Sequence, residues 1–222
     1  FSALGAMYEH PVHIFMPDWM TSERKQMIKK YGAFLHEVTQ EQGGFEGAVK
    51  LADQLSEEIG GFRPQQFSNL YNVDAHYKTT GLEICTQLNK LGVEPDGFVA
   101  GIGTGGTITG VGQLLKSKNP AIKVFGVEPA ASPLLNGGEP GKHPFQGIGA
   151  NFVPPVLDRS VYDEILDAQA DDGVRYARLA GTQEGILAGL SSGAALWAAH
   201  QVAQRPEFDG KTIVVIIPSF GE

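Results

Sequence analysis

A glycine-rich segment between an apolar run and an amphipathic stretch constrains this chain more than any other feature. Residues 101–110 read Gly-Ile-Gly-Thr-Gly-Gly-Thr-Ile-Thr-Gly and follow residues 97–100, which have the pattern of a buried strand. Apolar residues then recur at helical spacing, as at Ile108 and Val111. Because the free N–H groups of a first helical turn favour an anion, and glycines let it approach closely, this order predicts a phosphate site. We call residues 103–107 the cradle.

The glycine spacing leaves the kind of ligand open. Gly101, Gly103 and Gly106 fit the dinucleotide pattern G-x-G-x-x-G, and Glu128 ends the next apolar strand, where that pattern places a ribose-binding carboxylate. The alternative is one small phosphate, held by backbone N–H groups and the two threonine hydroxyls of the cradle. A tight turn without a ligand is the third possibility.

Strand and helix patterns alternate along the chain, which indicates parallel sheets with helical crossovers. Helices are predicted at 1–9, 21–31, 45–59, 74–91, 171–182 and 189–204, with a further helix after the glycine turn through 108–115, and strands at 12–16, 33–38, 97–100, 122–127, 161–166 and 212–217. The last strand is continuously apolar, as is typical of the middle of a parallel sheet. The long loop over 129–157 is rich in Pro and Gly and is typical of a functional segment.

Composition excludes several classes of function. A net charge of −8 disfavours binding to nucleic acid or to anionic membranes. No apolar run reaches the length of a membrane span. The lone Cys85 excludes an internal disulfide and predicts a cytoplasmic location, and the scattered His residues show no metal-ligand spacing.

A second motif, Gly189-Leu190-Ser191-Ser192-Gly193, matches the G-x-S-x-G elbow of α/β-hydrolases. We reject that interpretation because His200 precedes Asp209 in the remaining sequence and lies on the same predicted helix. Ser191 is then either a helix N-cap or a hydroxyl directed at a bound heterocycle. His76 is predicted to be a surface or satisfied polar residue.

Six motifs in one order resemble cysteine synthase (O-acetylserine sulfhydrylase), a β-replacing pyridoxal-phosphate enzyme. The motifs are Gln65–Asn69, Lys78–Gly81, Gly103–Thr107, Gln146–Gly149, Gly185–Ala194 and Pro218–Glu222. The resemblance runs from Phe1 to Glu222 and outranks the dinucleotide pattern. It implies the tryptophan-synthase β-like fold (fold type II), an α/β architecture of two twisted sheets flanked by helices. Residues 1–68 would belong to the smaller, mobile domain and 69–222 to the larger, cofactor-binding one, incomplete at both chain ends.

The resemblance also implies the ligand contacts. The cofactor would be pyridoxal 5′-phosphate, with its phosphate on Gly103, Thr104, Gly105, Gly106 and Thr107. Ser191 would bond the pyridine nitrogen, where a neutral hydroxyl favours β-elimination over transamination. Gln66 and Gly147 would contact the amino-acid substrate. The family converts O-acetylserine and sulfide to L-cysteine through an aminoacrylate.

Two elements that the resemblance implies are absent from the 222 residues: the Schiff-base lysine of the family in its Ser-x-Lys-x-Arg setting, and its substrate-carboxylate loop, Thr-Ser-Gly-Asn-Thr-Gly. Lys118 follows Ser117 but lacks the arginine. We therefore assign no catalytic residue in this chain and expect it to be part of a longer polypeptide. Alone, it is expected to bind the cofactor weakly and to be inactive.

Three alternative functions remain open. Cystathionine β-synthase, which uses serine and homocysteine, shares nearly all of these motifs. A non-catalytic relative would keep the cleft and bind the C-terminal peptide of serine acetyltransferase. A nicotinamide oxidoreductase ranks third. The resemblance further implies a homodimer.

Overall fold

The computed structural model describes residues 1–220 of the chain. Contacts between residues divide the chain into two compact units, Phe1–Pro64 and Gln65 onward. The division lies four residues before the boundary predicted between 68 and 69.

Residues 1–64 form a small parallel sheet with helices. The elements are α1 (Ser2–Met7), β1 (His13–Pro17), α2 (Ser22–Lys30), β2 (Phe34–Val38) and α3 (Gly44–Ile59). β1 pairs with β2 in parallel, and α2 is the crossover that such a pair requires. α3 contacts both strands, and Val38 and Ala48 are buried. The predicted alternation of strand and helix is confirmed here.

The second unit contains a four-stranded parallel sheet within the described residues. Its elements are α4 (Tyr71–Lys78), α5 (Thr80–Leu91), β3 (Gly97–Gly101), α6 (Gly106–Lys118), β4 (Lys123–Pro129), β5 (Glu164–Ala168), α7 (Ala170–Glu184), α8 (Leu190–Ala203), a 3-10 turn (Pro206–Phe208) and β6 (Ile213–Val215). The strand order is β5-β4-β3-β6, and every pair is parallel. The carboxyl ends of all four strands therefore lie at one edge of the sheet.

Both faces of this sheet are covered by helices. One apolar cluster joins β3 and β4 to α6, with Ile108 and Val111 fully buried. The other joins the opposite face to α8 through Ala194, Ala198 and Val202. The result is a helix–sheet–helix sandwich, in which the two central strands are apolar on both sides as expected for a parallel sheet.

Three predicted elements differ from the observed ones. The helix predicted over 74–91 is two helices, which break at Thr79, where the backbone turns to φ −115° and ψ −79°. The fifth strand begins at Glu164 because Val161 closes a turn on Asp158. The central position expected for the last strand is not observed among the described strands, where β6 lies at one end of the order and is half-buried.

A two-pronged ion pair connects β5 to the end of α8. The guanidinium of Arg205 donates to both carboxylate oxygens of Glu164 at 2.7 and 2.8 Å and lies 5.4 Å from the ring centroid of Phe125. These hydrogen bonds hold the pKa of Glu164 below its usual value. This bidentate arrangement of guanidinium and carboxylate is the geometry found in the stronger ion pairs at protein surfaces.

Glu164→Gln is expected to lower the free energy of unfolding by about 0.5–1 kcal/mol at pH 7, the range for a well-formed surface pair. Because the pKa of Glu164 is lowered on folding, the pair stabilises above the unfolded-state pKa, and this stability is lost as the pH falls through the folded-state pKa. Urea denaturation at pH 7 and pH 3 measures the effect. Glu184→Gln, at an exposed position, is the control. A difference that persists unchanged at pH 3 would contradict the assignment.

Among residues 1–220, no helix has the length and apolar character to cross a membrane. Within the same range, no group of three or more His, Cys, Asp or Glu side chains is arranged to hold a metal ion.

Candidate cofactor site

The cradle lies where β3 leads into α6. β3 ends at Gly101, and α6 begins at Gly106 with Gly105 as its N-cap. Gly105 has φ +87°, in the left-handed region that favours glycine, and it has no side chain with which to cap the helix. The first turn of this 13-residue helix therefore presents N–H groups to the cradle, one of which, that of Gly106, donates to Thr104 Oγ1. The predicted order of strand, glycine turn and helix is confirmed.

Helix α4 packs against the beginning of α6 at two glycines. A Cβ on Gly106 would overlap the side-chain amide of Asn72, and one on Gly110 would overlap the carbonyl oxygen of Val73. Because both positions lack a side chain, the two helices approach closely. This contact brings the side chains of α4 to the cradle.

The two cradle hydroxyls are held by side chains of α4. Asn72 Nδ2 donates to Thr104 Oγ1 at 2.9 Å, and the same oxygen accepts the N–H of Gly106 at 3.2 Å. His76 Nε2 lies 3.2 Å from Thr107 Oγ1. His76 is half-buried, and this burial lowers its pKa, so the imidazole is neutral at pH 7.

Sequence reasoning missed the part played by Asn72 and treated His76 only as a polar residue with satisfied hydrogen bonds. His76 does have its bonds satisfied, but one partner is a cradle threonine. The only available signal was the four-residue spacing of Asn72 and His76 on one helix face.

The structure brings Gln66 and Gly147 to the cradle. The second N–H of the Asn72 amide donates to the carbonyl oxygen of Gln66 at 2.9 Å, so one amide joins Gln66 to Thr104. The carbonyl of Gly147 lies against Gly103, where a Cβ would overlap it. Both Gln66 and Gly147 are exposed to solvent.

Ser191 is not the N-cap of its helix. α8 begins at Leu190, and the cap position is taken by Gly189, so the capping interpretation is wrong. The buried hydroxyl of Ser191 lies 2.9 Å from that of Ser219, which follows β6. Since β6 pairs in parallel with β3, Ser219 and the cradle both follow the carboxyl ends of neighbouring strands. Ligands of open parallel sheets bind at this edge.

The carboxylate of Glu128 is hydrogen-bonded to the backbone of the loop that follows it. Glu128 is 3% exposed, and its carboxylate accepts the backbone N–H groups of Leu135 at 2.9 Å and Asn136 at 3.0 Å. Burial raises the pKa of the Glu128 carboxyl. The ribose contact that the dinucleotide pattern predicts would require these oxygens to be free. Glu128 is instead a structural residue.

These residues fit the phosphate of a cofactor. The first turn of α6 supplies backbone N–H donors, and the cradle supplies two hydroxyls whose positions are fixed by α4. The nearby Ser191 hydroxyl would suit a neutral acceptor such as a ring nitrogen. No carboxylate of the second unit is bonded to the cradle threonines among the described contacts.

Comparison with known proteins decides between the possible ligands. A profile of the family described as “Pyridoxal-phosphate dependent enzyme” matches residues 1–219. This chain belongs to the pyridoxal-phosphate dependent enzymes. The predicted cofactor class is therefore confirmed for the family, and the nicotinamide alternative is set aside.

Within the pyridoxal-phosphate dependent enzymes, the chain is similar to curated cysteine synthases. One from Staphylococcus aureus is 46% identical over 207 residues, which cover 93% of this chain and 66% of the relative. The chain thus spans slightly less than two thirds of the length of that protein. The resemblance inferred from the six motifs is confirmed.

Solved structures agree on the fold. Cysteine synthase from Entamoeba histolytica superposes with a TM-score of 0.91 at 38% identity, over 99% of this chain and 64% of that one. An O-acetylserine dependent cystathionine β-synthase from Helicobacter pylori gives a TM-score of 0.90 at 35% identity, over 100% of this chain and 71% of that one. The predicted tryptophan-synthase β-like fold is confirmed.

Proposed function

We propose that the protein is a cysteine synthase, which makes L-cysteine from O-acetylserine and sulfide with pyridoxal 5′-phosphate. The observation that carries the proposal is the convergence of Gln66, Gly147 and the cradle through the Asn72 amide and the Gly103 contact. The similarity to curated cysteine synthases supports it.

Each proposed contact has a chemical role. The cradle residues Gly103, Thr104, Gly105, Gly106 and Thr107 bind the phosphate through N–H and O–H donors and so fix the cofactor at one end. Bound pyridoxal phosphate supplies an electron sink that eases loss of the α-proton and the β-substituent of an amino acid. Gln66 and Gly147 orient the substrate beside it.

Ser191 is proposed to meet the pyridine nitrogen. A hydroxyl is neutral and does not keep the ring protonated, which limits electron withdrawal and favours elimination and replacement at Cβ over transamination. Ser219 supports this geometry because its hydroxyl, 2.9 Å away, can donate to Ser191 and leave the Ser191 proton for the ring.

The proposal predicts a spectroscopic and a product result for the purified full-length protein. With pyridoxal phosphate bound, O-acetylserine should shift the visible absorption band, and sulfide should restore it with release of cysteine. Serine plus homocysteine should turn over at least about tenfold more slowly, a discrimination of about 1.4 kcal/mol. A preference for the second pair would assign the protein to the serine-using cystathionine β-synthases instead.

Two outcomes would replace the enzyme proposal. Tight binding of pyridoxal phosphate without any turnover, together with binding of the C-terminal peptide of serine acetyltransferase, would indicate a non-catalytic relative. Stabilisation by a nicotinamide cofactor but not by pyridoxal phosphate would restore the dinucleotide alternative. A thermal-shift series with the three ligands separates these cases.

We propose a homodimer that binds serine acetyltransferase and resides in the cytoplasm. The net charge of −8 and the lone Cys85 support the location, and the similarity to cysteine synthases supports the assembly. Light scattering after size-exclusion chromatography tests the dimer.

A further inference from the structure

We propose that His76 is a positioning residue, which orients the Thr107 hydroxyl so that its proton points into the cradle. The inference rests on the proposed phosphate site at residues 103–107. His76 itself is not proposed to touch the cofactor. It acts through Thr107, whose Oγ1 lies 3.2 Å from His76 Nε2.

The imidazole of His76 connects two threonines. Its Nδ1 lies 2.9 Å from Thr80 Oγ1, and its Nε2 faces Thr107 Oγ1. A neutral imidazole carries one donor and one acceptor nitrogen, so the three groups can be hydrogen-bonded in one direction or in the reverse direction. In the first direction His76 donates to Thr107, and in the reverse direction Thr107 donates to His76.

A bound phosphate selects the first direction. Its oxygens are strong acceptors and are largely unprotonated at pH 7, so Thr107 must donate its single proton to them. Thr107 Oγ1 can then only accept from His76, which requires the Nε2–H tautomer. Nδ1 becomes the acceptor of the Thr80 hydroxyl. Three donors therefore point in sequence toward the cradle: Thr80, His76 and Thr107.

The helix break and the glycines explain how these groups come together. α4 ends at Lys78, and the backbone turn at Thr79 lets α5 begin at Thr80, one turn after His76. Gly110 meets α4 without a side chain, and a Cβ there would lie 2.9 Å from the Cβ of His76. His76 is thus packed between α5 and α6, and the lowered pKa that follows from its burial keeps it neutral. A neutral ring is the form that this hydrogen-bond sequence requires.

Two substitutions that introduce an amide side chain distinguish the roles of the two ring nitrogens of His76. His76→Gln can place its N–H near the position of Nε2, whereas His76→Asn reaches only the position of Nδ1 and loses Thr107. We expect His76→Asn to weaken binding of pyridoxal 5′-phosphate about tenfold, the effect of about one hydrogen bond to a charged group. His76→Gln should remain within about twofold of the wild type.

The probes are pyridoxal 5′-phosphate and pyridoxal, titrated into the full-length protein and followed by absorption and by the thermal unfolding midpoint. The inference requires the loss in His76→Asn for pyridoxal 5′-phosphate and no change for pyridoxal, which has no phosphate. Equal losses for both ligands, or equal losses in both variants, would overturn it. Thr80→Val, which removes the terminal donor at nearly constant volume, should weaken the phosphate ligand severalfold and provides a second test.

The same titration separates the inference from the proposal on which it depends. If the wild type binds pyridoxal 5′-phosphate no better than pyridoxal, the cradle is not a phosphate site and both fail. If the wild type binds pyridoxal 5′-phosphate better than pyridoxal and His76→Asn shows the same preference, the phosphate site stands and the positioning by His76 is overturned.

Discussion

Gly103→Ala is expected to weaken binding of pyridoxal 5′-phosphate by about a hundredfold or more, equivalent to at least about 2.7 kcal/mol. The added Cβ would overlap the carbonyl oxygen of Gly147, a backbone atom with no rotamer to change. The loop over 146–149 would have to move away, which would disturb the hydrogen bond of 3.0 Å from the N–H of Gly149 to Ile102. Titration with the cofactor, followed by absorption, measures the loss.

The chain offers a matched control for this substitution. Gly181 lies within α7, and a Cβ there would meet its nearest neighbour, the carbonyl oxygen of Ile186, only at 3.8 Å. Gly181→Ala should leave cofactor binding unchanged and stabilise the protein by up to about 1 kcal/mol, because alanine favours a helix interior. Unchanged cofactor binding in Gly103→Ala would show that the cofactor does not use this loop.

Glu128→Ala is expected to lower the free energy of unfolding by about 2–4 kcal/mol, among the larger effects of single substitutions. The buried carboxylate accepts two backbone N–H groups, from Leu135 and Asn136, which are left without partners when it is removed. Chemical denaturation with two spectroscopic probes measures the change. A loss under 1 kcal/mol would mean that solvent replaces the carboxylate without cost.

Glu128→Gln tests the charge separately from the shape. The amide oxygen can accept only one of the two N–H groups, so a smaller loss is expected. Because burial raises the pKa of Glu128, its folded form gains a proton more readily than the unfolded chain. The resulting contribution to stability is present below the unfolded pKa, about 4.3, and is lost as the pH rises through the folded pKa. The wild type should therefore gain stability relative to Glu128→Gln between pH 7 and pH 4.

Several features of this fold were predictable because local chemistry alone determines them. The buried strand before residue 101, the glycine turn and the amphipathic helix after it are each encoded within a few residues. The same holds for α3, whose end at Gly60 coincides with a glycine in the left-handed region. The alternation of such elements leaves few arrangements other than a parallel sheet.

Other features depend on partners that are distant in the sequence. The break at Thr79 joins two segments that are both favourable for helix, and it is explained only by the packing of α4 and α5 around α6. β6 is as apolar as a central strand, yet it pairs only with β3 among the described strands. Ser191 has the residue type of a cap, but Gly189 holds that position and the hydroxyl turns to Ser219. Propensity cannot resolve such competition between local and tertiary contacts.

The Asn72 amide couples the binding of the cofactor to the binding of the amino-acid substrate. Both of its N–H groups are engaged at 2.9 Å, one on the carbonyl of Gln66 and one on the hydroxyl of Thr104. A ligand that restricts the motion of the Thr104 side chain also restricts the peptide of Gln66, because both are bonded to the same amide. The reverse holds for a ligand that restricts Gln66. Linkage requires that the two affinities change by the same factor in either order of addition. Cofactor and amino acid should thus bind cooperatively, with a single side chain as the shared element.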